Sequence, residues 1–404
     1  MKTIKTINEV LTIIRESFNS YYLDVEEVDI KDACQRVIAN DVISREDVPH
    51  FDKSTVDGYA LISFDTLGAS DDNPITLKII GEIETGEKPA LEIQKGTCAR
   101  IFTGGEIPEG ANSVIMIENC IEKDGLLYVF KPVTANENIL KKGEDIKNKS
   151  IVIEKGTTVT PASIGVLAAL GIEKVKVYKK PKIGIISTGN EIIPINHEIY
   201  NAKVRDINSY TLYSSIQKDD CIPIMYGIVK DSKIELEVAI KSVLEKCDIV
   251  LISGGSSKGA YDNTLNVLEG IENNCILVDG IAVKPGKPTI IAKINNKAVI
   301  GLPGHPASCL FIYNYFVRRL ISLITGRKFN ENKINAILKT NFSLKSGRTE
   351  FVFVKLSYLE NVYAEPLYGK SGSITLLSNA DGYIRLDATR TGIKEGDIVE
   401  VTLF

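Results

Sequence analysis

Between residues 181 and 326 apolar runs of two periods alternate, and this alternation constrains the fold more than any other feature of the chain. Short β-branched runs at Lys182–Ser187, Ile222–Val229 and Asp248–Ser253 read as strands, with further strands at Ile281–Val283, Thr289–Ala292 and Lys297–Ile300. Helical patterns separate them at Asn208–Lys218, at Ser232–Lys246 with Asp231 as its cap, and through Asn263–Leu268. A last helix from Ala307 to Ile324 closes the unit. Strands joined by helices must form a mostly parallel sheet covered on both faces. Such sheets bind ligands at the carboxyl ends of their strands.

The flanking segments have other textures. Residues 1–48 look helical: Val10, Leu11, Ile13, Ile14 and Phe18 recur at helical spacing, and Ile30–Val42 is expected to form a second helix before Pro49. From 49 to 137 short runs (Ile75–Ile83, Thr97–Phe102, Ser113–Ile117, Leu126–Phe130) alternate with Gly and Pro, as in a small all-β domain. Residues 138–178 return to mixed texture, with Thr160-Pro161 as a helix start, Gly171 as a stop and Lys174–Tyr178 as a strand. This stretch is expected to pack back on residues 1–48, so that the β domain is an insertion. Residues 179–327 form the α/β unit. Residues 328–404 carry short alternating runs and read as a small β barrel.

Composition excludes several classes. The 404 residues carry 48 Lys+Arg against 52 Asp+Glu, a net charge of −4. That balance argues against broad nucleic-acid binding. No apolar run approaches the roughly 20 residues that span a bilayer, so no membrane partner is expected. The start of the chain is not a signal peptide. Seven scattered cysteines without a CxxC pair fit reduced thiols in the cytoplasm, not a zinc site or disulfide framework.

Four loops follow strands of the α/β unit. Ser187-Thr188-Gly189-Asn190-Glu191 turns tightly at Gly189 and projects Glu191. Ser253-Gly254-Gly255-Ser256-Ser257-Lys258-Gly259 runs toward Asp262, and backbone N–H groups in such a loop bind anions. Lys284-Pro285-Gly286-Lys287-Pro288 holds two lysines on a rigid path, an arrangement that an anion relieves. Gly301-Leu302-Pro303-Gly304-His305-Pro306 leads into a helix, with His305 read as structural. Polar loops also occur at Asp52–Ala60, Phe102–Gly105, Gly347–Phe351 and Lys370–Ser373. Each taken alone is also readable as an ordinary turn. Together they supply N–H groups, lysines and carboxylates, suited to phosphate or another oxyanion and to Mg²⁺.

In order along the chain, FDKSTVDGYA, FTGGEIPEGANSVIMIE, STGNEI, SGGSSKGAYD, KPGKP, GLPGHPAS, GRTEF and SGS resemble the motifs of the molybdopterin molybdenumtransferase family, which includes the MoeA-type proteins and the gephyrin E domain. The resemblance implies a multidomain α/β plus β protein. Its parts would be a MoaB/MogA-like three-layer α/β domain, an inserted all-β domain, a helical or extended N-terminal domain and a C-terminal barrel. It implies insertion of molybdenum from molybdate into adenylylated molybdopterin, with Mg²⁺ as cofactor and AMP released. It also implies a homodimer with sites between subunits, and transient contact with the adenylyltransferase and acceptor molybdoenzymes.

Carried over by motif, Asp57 and Thr103 would reach across the dimer. Glu191, Asp231 and Asp262 would line the pocket with Lys284 and Lys287, Glu191 and Asp262 holding the metal. Ser187, Gly189, Gly254, Gly255, Ser257, Pro303, Arg348 and Ser373 would contact substrate or molybdate. The chain departs from the usual family strings at Asn190, Ser256, Lys258, Gly280 and His305. These departures bear on substrate preference, molybdate against tungstate included, and leave the reaction class unchanged. A molybdopterin adenylyltransferase would share the 181–326 unit but lack the β insertion and the barrel. A non-catalytic carrier or scaffold would not need the acidic and basic set retained here.

Overall fold

The structure is a computed structural model. It describes residues 4–21, 23–254, 258–343, 348–369, 372–388 and 392–404, with the backbone alone for 258–262.

At its centre is a mixed six-stranded sheet. Four neighbouring strands are parallel, in the order Ile222–Val229, Lys182–Thr188, Ile249–Gly254, Lys297–Leu302. Ile290–Ile294 and Asn274–Asp279 extend it antiparallel. Side chains alternate across the sheet. Ile183, Ile185, Ile249, Leu251 and Ile300 face one core, shared with Leu212, Ile216, Phe311 and Leu320. Ile186, Val250, Ile252 and Val299 face the other, shared with Leu236, Ile240, Val243, Leu265 and Leu268. The result is three layers, with helices on both faces.

Helix Ile7–Phe18 starts with a capping box in which Thr6 accepts from the Glu9 N–H. Its buried stripe Ile7, Val10, Ile14 and Phe18 joins the first of these cores. Each such side chain contributes up to about 1.5–3 kcal/mol of hydrophobic stabilisation.

Residues 30–42 are not a second helix. Ile30–Asp32 makes a single turn, and the chain then turns again at Cys34–Gln35 and forms isolated bridges at Val37 and Ile38. Gln35, Ile38 and Ala39 donate their N–H groups to the carbonyls of Val159, Thr157 and Lys176. Neighbouring Val37 and Ile38 consequently enter different cores, which a helical face does not allow. Long-range pairing has overridden the local pattern. Val25–Asp29 pairs antiparallel with Lys174–Tyr178, and Val42–Ile43 with Ile151–Ile153. The segments before and after the β insertion are thereby stitched together.

The insertion is a six-stranded sheet whose centre is Gly58–Leu61, Thr97–Ile101 and Ile75–Ile83. The C-terminal strands Thr349–Tyr358, Val362–Pro366, Lys333–Leu338, Ile398–Leu403 and Gly382–Leu386 close into a five-stranded barrel. Closure removes the unpaired sheet edges.

The expected helix after Ala307 is Pro306–Ile312, a widened turn at Tyr313–Val317, then Arg318–Thr325. Among the described residues this stretch is long and apolar enough to cross a membrane, with a mean hydropathy of 1.2. Its apolar window is 72% buried inside the protein, so it is a core helix.

Candidate active site at the carboxyl ends of the parallel strands

Ser187 and Thr188 stand in register with Ser253 and Gly254, and Ser253 with Leu302. Three of the motif loops therefore leave the sheet side by side. Gly254 has φ +130, and a Cβ there would fall 1.8 Å from the Thr188 carbonyl oxygen. Only glycine permits this approach. A Cβ on Gly189 would lie 2.9 Å from a carboxylate oxygen of Glu191, so the exposed Glu191 folds back over that glycine.

Asp231 does not cap the following helix. Ser232 is the N-cap, accepting from the Glu235 N–H. Asp231 reaches instead to the neighbouring loop. Its Oδ1 accepts from Thr188 Oγ1 at 3.0 Å, and its Oδ2 from the Asn190 N–H at 3.3 Å. Its own N–H donates to Asn190 Oδ1 at 3.3 Å. Asp231 thus clamps the loop that carries Glu191, and Asn190, a departure from the family string, takes part in two of the three hydrogen bonds, one of them through its side chain.

The KPGKP loop is tied to the barrel. Val283–Lys284 pairs parallel with the start of Thr349–Tyr358. Lys284 Nζ lies 2.9 Å from Glu350 Oε1, and Glu350 is only 7% exposed. Gly286 has φ +111, and a Cβ there would sit 2.4 Å from Ile312 Cδ1. Lys287 is exposed; its carbonyl accepts the N–H groups of Ile281 and Thr289. Arg348 is exposed beside the same strand. Ser373 is the N-cap of Ile374–Ser378, with its Oγ 3.4 Å from Thr375 Oγ1. Pro303 is buried, and His305 is the N-cap of Pro306–Ile312.

In the β insertion, Ser54 N–H donates to the Gly105 carbonyl and Gly104 N–H to the Ser54 carbonyl, lacing the two polar loops together. Asp57 Oδ1 then accepts from the Thr103 N–H at 2.8 Å and from Thr103 Oγ1 at 2.7 Å. The backbone bond, then the hydroxyl, hold the Asp57 carboxyl below its ordinary pKa, with Arg100 adding a smaller effect. Both residues are exposed.

Comparison with known proteins gives the arrangement a context. Residues 5–171 match the MoeA N-terminal region (domain I and II), residues 184–322 a probable molybdopterin binding domain, and residues 335–404 the MoeA C-terminal region (domain IV). The chain belongs to the MoeA family. A putative molybdopterin biosynthesis protein of Methanocaldococcus jannaschii is 36% identical over 100% of both chains. The molybdopterin molybdenumtransferase of Bacillus subtilis is 31% identical over 94% of this chain and 90% of its own length. Two crystal structures of the molybdopterin biosynthesis MoeA protein from Pyrococcus horikoshii match. One has TM-score 0.81 at 37% identity over 99% of each chain, the other 0.87 at 32% identity over 100% of each. Membership of this family gives the chain a role in molybdenum cofactor biosynthesis, in line with the relatives named molybdopterin molybdenumtransferase.

Of the residues expected from the family motifs, the structure gathers Ser187, Gly189, Glu191, Asp231, Gly254 and Pro303 at one sheet end. It pairs Asp57 with Thr103, and it ties Lys284 to the barrel. Gly255 and Ser257 lie outside the described residues. Asp262 falls within helix Lys258–Gly270, with its side chain outside them.

Residues missed by the sequence reading are Glu350, Thr188, Ser253 and Asn208. Glu350 was visible only as part of GRTEF, and nothing local marks its pairing with a lysine 66 residues away.

Among the described residues no group of three or more His, Cys, Asp and Glu side chains is set to hold a metal. Among the described residues, Glu191, Asp231 and the Thr188 and serine hydroxyls offer oxygen donors at the sheet end. Oxygen donors with one or two carboxylates fit Mg²⁺, which keeps water and takes the rest of its ligands from substrate phosphates.

Proposed function

We propose that the chain transfers molybdenum from molybdate to the dithiolene of adenylylated molybdopterin and releases AMP. The observation that carries this reading is that Ser187–Thr188 and Ser253–Gly254 end side by side, with the Asp231 clamp, at one end of the molybdopterin-binding domain. Backbone N–H groups of the glycine- and serine-rich stretch after Gly254 would suit the phosphates. Glu191 would hold Mg²⁺ together with Asp262, and the ion would supply polarisation of the phosphoanhydride. Lys284 and Lys287 offer point charges, and Arg348 a planar fork, to molybdate and to the charge left on AMP. A water bound by one of these carboxylates would attack the anhydride.

The enzyme acts as a homodimer in this reading. Asp57 and Thr103 are exposed, bond to each other within the β insertion, and would serve the site of the partner subunit. The seven unpaired cysteines suit the cytoplasm, where the adenylyltransferase would deliver substrate and acceptor molybdoenzymes would collect product.

The test is AMP release from purified adenylyl-molybdopterin with and without molybdate and Mg²⁺, in the absence of ATP. Molybdate-stimulated release supports insertion. Tight binding without release under either condition turns the reading to a carrier.

A further inference from the structure

Among the described residues, five buried side-chain polar atoms have no hydrogen-bond partner: Ser187 Oγ, Asn208 Oδ1, Ser253 Oγ, Arg327 Nε and Ser357 Oγ. The first three lie together in the fold. Ser187 and Ser253 are register partners on adjacent parallel strands, both 0% exposed. Strand alternation places Ser187 on the face of Ile183 and Ile185, and Ser253 on the face of Ile249 and Leu251. That is the face covered by helix Asn208–Lys218.

Asn208 opens this helix and is 6% exposed. Its Nδ2 donates to the Gly304 carbonyl at 2.9 Å, in the loop after the next strand. A carbonyl oxygen only accepts, so this bond fixes the amide's orientation and leaves Oδ1 as the unpaired end. A buried polar atom without a partner is destabilising, and three at the end of one sheet call for an explanation.

We propose that Ser187, Ser253 and Asn208 form a recessed polar floor beneath the strand-end loops that binds a neutral hydrogen-bonding group of the substrate. Asn208 Oδ1 accepts only, so it requires an N–H or O–H. Molybdate and ionised phosphate bring only acceptor oxygens, which the amide oxygen repels. The Asn208 end of the floor therefore does not take an oxyanion; it takes a group that brings a donor, while the two serine hydroxyls can donate or accept. The matching chemistry is a ring N–H, an exocyclic amine or a hydroxyl. Adenylylated molybdopterin carries such groups on the pterin and on the adenosine. This assignment rests on the substrate class argued above and adds which part of it is read here.

The experiment measures equilibrium binding of metal-free molybdopterin, AMP and molybdate separately to the wild type and to Ser187→Ala, Ser253→Ala and Asn208→Leu, alongside thermal midpoints. The serine variants are expected to leave the midpoint unchanged or raise it, because each removes an unpaired buried hydroxyl. They should weaken one organic ligand by about three- to tenfold each, and molybdate not at all. Loss with molybdopterin assigns the pterin; loss with AMP assigns the adenosine.

Raised midpoints with all affinities unchanged overturn the proposal, as does weakened molybdate binding alone, or failure of the wild type to bind either organic ligand. Since binding and not turnover is read, a wild type that binds but releases no AMP sinks the insertion reaction and leaves the floor standing. Should Asn208→Leu fail to fold, the two serine variants decide the matter.

Discussion

Lys284 and Glu350 form an ion pair that joins the α/β unit to the C-terminal barrel, Nζ to Oε1 at 2.9 Å. The pair is asymmetric: the lysine side chain is 51% exposed and the glutamate 7%. The lysine keeps water on one side and retains capacity for an anion, while the carboxylate depends on the lysine. Lys284→Ala leaves a buried charge without its partner. About 1–3 kcal/mol of lost stability is expected after allowance for solvent screening, together with lost turnover. Glu350→Gln keeps the shape and removes the charge. It should fold nearly normally and raise KM for molybdate more than it lowers kcat. Urea titrations and steady-state kinetics of both variants check this; equal effects on kcat and KM from Glu350→Gln would reject the idea that Glu350 holds Lys284 toward the anion.

Asp57 offers a pH test. Its native pKa lies below the unfolded value because Thr103 donates twice to one oxygen. A depressed carboxyl contributes stability that is complete above the unfolded pKa and is lost as pH falls through the native one. Thr103→Val removes the hydroxyl donor and keeps the backbone donor. The Asp57 pKa should then move up toward the ordinary aspartate range without reaching it. Carboxyl NMR titration of the two proteins reads the shift directly, and the acid limb of the pH–rate profile should move the same way.

Gly254→Ala places a Cβ 1.8 Å from the Thr188 carbonyl oxygen at φ +130. Backbone cannot yield cheaply there, and about 3 kcal/mol or more of destabilisation is expected. Gly96→Ala serves as a control: it also has positive φ, but a Cβ there would meet nothing within 4 Å. Its penalty should be about 1–2 kcal/mol. Comparing the two denaturation midpoints separates steric contact from φ strain.

Asp231→Asn replaces one acceptor of the clamp with a donor, which then faces either the Thr188 hydroxyl or the Asn190 N–H. Loosening of the Glu191 loop should lower activity by roughly tenfold or more. If Asp231 acts as a clamp, raising Mg²⁺ will not restore the rate. A direct metal ligand would show recovery at high Mg²⁺, so the Mg²⁺ titration decides between the two roles.

Local patterning by itself determined most element types: helix Asn208–Lys218, strand Ile222–Val229 and the cap–stop pair Thr160 and Gly171 were all legible from periodicity and turn chemistry. Loop placement was legible as well, because a glycine after an apolar strand marks a strand end. The motif resemblance drew those loops into one family site.

Tertiary structure alone decided which partner each polar side chain meets. Residues 30–42 carry a helical pattern yet form turns and isolated bridges, since the N–H groups of Gln35, Ile38 and Ala39 find carbonyls at Val159, Thr157 and Lys176. Asp231 stands where a helix cap belongs, but strand order sets it against Thr188 and Asn190. Lys284 meets Glu350, and Ser187 meets Ser253 without a bond between them, only through sheet register and barrel docking. Periodicity reports which face of an element is buried; hydrogen bonds and ion pairs depend on distances between elements far apart in the chain, and those are set by packing.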